Sequence, residues 1–276
     1  MATPVDANYI RARAALLDAL AALGPLRQAA VLVGAQAVYE HTRDSDAHFA
    51  VSPFTFDADV ALDPELLVSD PRIPEAMEDA GYALADQPGM YRRKDGAQVD
   101  FLVPEAVGGR RGRGADLGVH GNRAARQVRG LEGALVSHRQ MTIGTLVPGD
   151  NRTCDINVAG PAALLVAKIH KLADRADAPG RDRLRNKDAF DIYRLLRAVD
   201  APRLVIEVRS LLAHETSRAV TTEALSRFPE FFEAPTSTGT QMAVQHVEGL
   251  EDSDFIAASL ISLGQELIDS IPDNSQ

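Results

Sequence analysis

Apolar residues recur at helical spacing over residues 8–23, where Ile10, Ala14, Leu17 and Leu20-Ala21 share a face and Gly24 ends the run. The unbroken apolar run 30–33 reads as a short strand feeding through Gly34 into a helix over 35–41. Residues 59–62 predict another strand, with Asp63-Pro64 opening a helix and 73–80 forming a further one that stops at Gly81. Three strands are expected at 82–85, 90–93 and 98–103, the last two joined by the Lys94-Asp95-Gly96 turn.

Apolar periodicity disappears over 104–130, which predicts a long loop. Strands at 141–146 and 153–158 follow. From Gly160-Pro161 onward the pattern turns helical, with helices expected at 161–175, 187–199, 202–213, 216–232 and 252–270. The fold class read from this order is α+β: a mixed β-sheet core flanked by helices, followed by a C-terminal helical bundle. The expected division is an α/β domain over 1–159 and a helical domain over 160–276.

Composition narrows the class. The 276 residues are 45% hydrophobic, enough for a core of ordinary size. The net charge of −10 supplies no global attraction for nucleic acid, so any such contact needs a local basic patch. Cys154 is the single cysteine, which rules out an internal disulfide and a cysteine-rich metal site. No run approaches the roughly 20 apolar residues of a membrane span, and the N-terminus lacks the order of a secretory signal. A cytoplasmic protein without membrane contact is expected.

Candidate chemistry begins at Gly34-Ala35, a strand-to-helix turn whose free N–H groups suit a phosphate. Asp57 and Asp59 stand two apart at a strand, so both carboxylates share one face. Like charges that close favour a cation, and oxygen-only ligands select Mg²⁺ or Mn²⁺. The bland alternative is a solvated turn. Asp100 interrupts the apolar strand Val99–Val103, a costly setting for a carboxylate without a partner or a metal. It completes a candidate metal triad with Asp57 and Asp59. The order strand–glycine–helix, acidic pair, third acid resembles the nucleotidyltransferase superfamily that includes DNA polymerase beta.

Downstream, Lys168, Lys171 or Leu172, and Arg175 share a helical face, and Asn186 to Tyr193 (NKDAFDIY) opens another helix, with Asn186 as its expected N-cap and Asp188 in its first turn. Taken with LVGAQA, TFDADVAL and VDFLVP, these segments resemble the AbiEii/AbiGii toxin family and its MenT-type nucleotidyltransferase toxins, over about residues 29–196. The resemblance implies a nucleoside triphosphate substrate and a tRNA 3′ end as acceptor. It also implies a toxin blocking translation and a protein antitoxin as partner. It places the catalytic acids on Asp57 and Asp59, the helical lysine on Lys168 and the late acid on Asp188. Lys171 and Asp191 join Gly34 and Ala35 as nucleotide contacts. The late acid orients the lysine or touches the nucleotide. Two positions depart from the family: Ala35 replaces the usual serine, and Pro53 stands where an arginine is common, with Arg43 as a candidate substitute.

Within 108–129, Arg110, Arg111, Arg113, Arg123, Arg126 and Arg129 stand against Asp116 alone, a local charge of +5. Arginine suits bidentate phosphate contacts, and no aromatic residue interleaves, so phosphate and shape readout of a structured RNA is expected. A solvated loop or an antitoxin docking surface would carry the same charges. A small-molecule or protein acceptor, and a binding module that has lost catalysis, remain as alternatives on the same fold.

Overall fold

The side chain of Asp6 accepts the backbone N–H groups of Asn8 (2.7 Å) and Tyr9 (3.3 Å), donors that a helix start leaves unpaired. Helix α1 (Ala7–Leu23) follows. The computed structural model describes residues 5–49, 51–109, 112–176 and 184–271. After α1 come β1 (Ala30–Val33), α2 (Gly34–Thr42), β2 (Asp57–Leu62), α3 (Ile73–Asp79), β3 (Tyr82–Leu84), β4 (Met90–Arg93) and β5 (Gln98–Pro104). Then β6 (Arg126–Val128), α4 (Glu132–Val136), β7 (His138–Gly144) and β8 (Thr153–Ala159) complete the strands. Six helices close the described chain: α5 (Pro161–Ala176), α6 (Leu184–Ala198), α7 (Ala201–Ala213), α8 (Glu215–Phe232), α9 (Thr238–His246) and α10 (Ser253–Asp269).

The eight strands form one mixed sheet ordered β3-β4-β5-β2-β1-β8-β7, with β6 added parallel to β5. β2 and β5 are parallel, as are β1 and β8, while β1 and β2 run antiparallel. The apolar runs AVLV and VAL are buried throughout, as strands flanked on both sides require. α1 lays Leu16, Leu20 and Leu23 into the core against β2, β5 and β8. α2 touches β2 on one side and α5 and α6 on the other, so the helical part of the chain meets the sheet at the helix that follows Gly34.

The expected α+β class is what the chain adopts, with several local corrections. β2 begins at Asp57, two residues earlier than the apolar run suggested, so both acids belong to the strand. The helix expected after Asp63-Pro64 is a single three-residue turn. Residues 104–130 are not one open loop, because Ala115, Leu117, Ala124 and Ala125 are buried and β6 joins the sheet. Short alanine-rich stretches between glycines carry no periodicity, which hid these contacts. The helices α4 and α9 were not anticipated, and β7 starts three residues before its expected beginning. α6 begins at Leu184, so Asn186 lies inside the helix rather than capping it. Arg110 and Arg111 lie outside the described residues.

Candidate active site

Register places the acids. In the parallel pair β2–β5, Asp59 stands opposite Asp100 and Asp57 opposite Gln98. In the antiparallel pair β1–β2, Val33 stands opposite Asp59, which puts the Gly34 turn beside the same carboxylate. One oxygen each from Asp57, Asp59 and Asp100 lies within 4.8 Å of the others. Gly34 has φ 68°, and a Cβ there would sit 2.2 Å from Asp59 Oδ2. Both facts demand glycine at this position. No side chain caps α2, so its first N–H groups remain available to a ligand in the cleft that Gly34 lines.

The triad is electrostatically expensive. Burial, then the neighbouring Asp59, pushes Asp100 up to about 7, against the opposing pull of Arg126 and the Gln98 hydrogen bond. Burial and the charge of Asp57 likewise raise Asp59, tempered by Lys171, Lys168 and Lys187. Such a group holds a proton or a cation. The donor set is all oxygen, as a hard divalent ion requires. Magnesium at about 2.1 Å from each ligand keeps oxygens up to about 4.2 Å apart, so the observed spread needs only small side-chain movement. The residues present therefore fit Mg²⁺ or Mn²⁺. Thr55 Oγ1 donates to Asp57 Oδ1 (2.6 Å), and Gln98 Nε2 donates to Asp100 Oδ1 (2.9 Å), so two of the three acids are fixed by hydrogen bonds.

A second ionic cluster joins α5 to α6. Lys168 Nζ donates to Asp188 Oδ1 and Asp191 Oδ2, both at 2.6 Å, and all three side chains are buried. Lys171 approaches Asp188 at 3.5 Å, and Arg175 also pairs with it. The shared face of Lys168, Lys171 and Arg175 is thus real. Burial disfavours the Lys168 ammonium, but Asp188 and Asp191 outweigh it and raise its pKa above the ordinary lysine value. Burial would raise Asp188, yet Lys168, Lys171, Arg175 and Lys187 hold it far below the usual carboxylate range. Lys171 keeps 44% of its side chain exposed and is the freer cation.

Acids and cations meet in one cleft of about 240 Å³. Gly34, Asp59, Lys168, Lys171, Asp174, Arg126 and Arg129 supply its polar lining. Leu102, Val128, Leu131, Leu164 and Ala167 form an apolar wall. The arginines of the 108–129 segment do not act as one patch. Arg126 turns inward to Asp100 Oδ2 (3.3 Å). Arg129, at the cleft, pairs with Glu223 (2.5 Å) and Glu105 (3.5 Å). Arg123 clasps the carbonyls of Ala85 (2.8 Å) and Asp86 (3.0 Å), and Arg113 is exposed. Ala35 is buried behind the turn and offers the site only backbone.

Three site features escaped the sequence reading. Thr55 and Gln98 each stand two residues before an acid, which on a strand means the same face; that spacing was the available signal. Arg126 was placed on the nucleic-acid surface, whereas β6 aims it at Asp100. Arg43 does not replace the cation missing at Pro53: it pairs with Glu40 (3.2 Å) and Asp44 (3.1 Å) and lines a different cavity, with Pro53. His170 has a packing role, its Nε2 bonded to the Val220 carbonyl at 2.8 Å.

A family model described as nucleotidyltransferase matches residues 11–213, spanning the sheet, the acids and the cluster between α5 and α6. No curated protein and no solved structure matches the chain. Among the described residues, no helix is long and apolar enough to cross a membrane.

Proposed function

Because the chain belongs to the nucleotidyltransferase family, we propose that it moves a nucleoside monophosphate from a nucleoside triphosphate to the 3′-terminal hydroxyl of an RNA. The observation that carries this reading is the register-paired acid triad beside the Gly34 turn, with the cation-lined cleft in front of it. Asp57, Asp59 and Asp100 would hold Mg²⁺ or Mn²⁺. When bound, the ion neutralises triphosphate charge and acidifies the attacking hydroxyl.

The chain's own residues do the rest. The first N–H groups of α2 receive phosphate oxygens. Lys171, Arg126 and Arg129 offset the remaining phosphate charge, and the apolar wall takes the sugar or base. Lys168, fully engaged with Asp188 and Asp191, sets the position of α5 against α6 and so the position of Lys171. The hydroxyl oxygen bonds to the α-phosphorus, the bond to pyrophosphate breaks, and Asp100, held by Gln98, takes the hydroxyl proton.

Exposed Arg113 supports an RNA acceptor. The finer reading follows the resemblance to the AbiEii/AbiGii toxins. The acceptor is then the 3′ end of a tRNA, the modified tRNA no longer serves translation, and an antitoxin protein holds the enzyme in check. The test incubates the protein with each α-labelled triphosphate, Mg²⁺, total RNA and a protein extract. Label in small RNA, lost with Asp57→Ala, is the expected result. Label in protein or small molecules instead overturns the RNA acceptor, and no label in any arm overturns the transfer reaction.

A further inference from the structure

A second cleft, of about 480 Å³, opens beside the segment that leads into Asp57 and belongs to none of the roles above. Phe54, Phe56, Asn186, Lys187, Gln245, His246 and Glu248 line it, so it shares no lining residue with the first cleft. Phe56 directly precedes Asp57 and is half exposed, unusual for so large an apolar ring beside a charged site. Phe54 holds it edge-on, with ring centroids 4.7 Å apart and planes at 81°. Asn186 Nδ2 donates to Gln245 Oε1 (3.3 Å) and ties α6 to α9 there. Among the described residues Lys187 makes no ion pair, and it lines this cleft from α6.

We propose that this cleft binds the terminal nucleotide of a single-stranded RNA acceptor, with its base stacked on Phe56 and its phosphate near Lys187. The inference rests on the transferase reading and adds the acceptor's seat to it. Phosphoryl transfer places the attacking and leaving oxygens roughly in line across the phosphorus, so donor and acceptor approach the acids from different sides. The first cleft offers the Gly34 turn and the phosphate-binding cations to the donor. The second offers an aromatic face, amides for a base edge and one cation, which together are the chemistry of a single-stranded nucleotide site. Glu248, exposed at the rim, adds an acceptor for a sugar hydroxyl or an exocyclic amine.

The chain has no tryptophan, so Phe56→Trp introduces a single indole reporter at this ring. A short single-stranded RNA should quench its fluorescence, and each triphosphate with Mg²⁺ should leave it unchanged. Phe56→Ala should raise the Kd for the same RNA about tenfold, the loss of one base stack, and leave the KM for the triphosphate within about twofold. Gln245→Ala, at the same cleft but on another element, should weaken RNA binding in the same direction and guards against local damage at residue 56. Quenching by triphosphate but not by RNA, equal binding of a blunt duplex, or an unchanged Kd in Phe56→Ala overturns the proposal. Binding is read without turnover, so a wild-type protein that binds RNA here yet transfers nothing sinks the reaction and not the acceptor site.

Discussion

Two ionic clusters meet at one cleft, which Asp59 lines from the first and Lys168 from the second, yet they are built on opposite principles. Lys168 with Asp188 and Asp191 is closed on itself: every charge has a partner at hydrogen-bond distance, and burial strengthens the pairs. Asp57, Asp59 and Asp100 gather like charges, and burial makes Asp59 and Asp100 costlier to ionise. A fold gains nothing by itself from the second arrangement. The charge-balanced cluster reads as architecture that fixes α5 against α6, and the like-charged one as a place kept for a cation and its triphosphate. Charged groups of both kinds look alike in sequence, and only their partners separate them.

The largest expected effect comes from breaking the triad. Asp59→Asn should lower transfer by about 10³-fold, the scale of losing a principal electrostatic element of a site. Measured in EDTA, its melting temperature should equal or exceed that of the parent, because one repulsive charge has gone. A variant that loses both activity and stability would place Asp59 among the architectural residues instead.

Lys168→Met tests the other cluster. Asp188 and Asp191 would then be buried without their central partner, which costs about 3–5 kcal/mol. A urea titration should show the midpoint falling well below that of the parent. Lys171→Met, on the same helix but exposed, should cost less than about 1 kcal/mol, the range of surface ion pairs. Equal losses for the two lysines would erase the distinction between a buried anchor and an exposed cation.

This contrast also explains what could be read without coordinates. The D-x-D spacing and the lone Asp100 in an apolar strand are local signals, and they located the acids. Their convergence depends on β2 and β5 lying side by side in one register, although about 40 residues and two other strands separate them in the chain. The Lys168 cluster was half visible, because helical spacing aligns Lys168, Lys171 and Arg175 but says nothing about which acids face them. The arginine segment misled. Its glycines and like charges are the composition of a free loop, and what folds it is a three-residue strand and four buried apolar side chains. The aromatic pair at Phe54 and Phe56 carried no sequence signal, since its neighbours come from α6 and α9.

The smallest effect sharpens the comparison by titration. Asp100 has a folded pKa of about 7, above its ordinary value of 3.8. Between those values the folded state binds a proton that the unfolded chain has released, so stability decreases as pH rises through this window and levels off above about 7. Asp59 shifts in the same direction. In EDTA, Asp100 should therefore contribute a fall in stability on the order of 2 kcal/mol between pH 5 and pH 8. His41, His120 and His246 oppose it, because burial lowers their pKa values and makes stability rise with pH over the lower part of the same window. Asp100→Asn should remove the acid's contribution and leave that of the histidines. Saturating Mg²⁺ should remove the acid's contribution too, because an ion bound to the folded state takes the place of the proton. Asp188, held ionised far below the usual range, contributes no slope in this window. Thermal melts of the parent and of Asp100→Asn at half-unit pH steps, with and without the ion, measure this, and a metal-free difference between the two proteins that stays level from pH 5 to 8 would mean that the three carboxylates do not repel one another as their spacing requires.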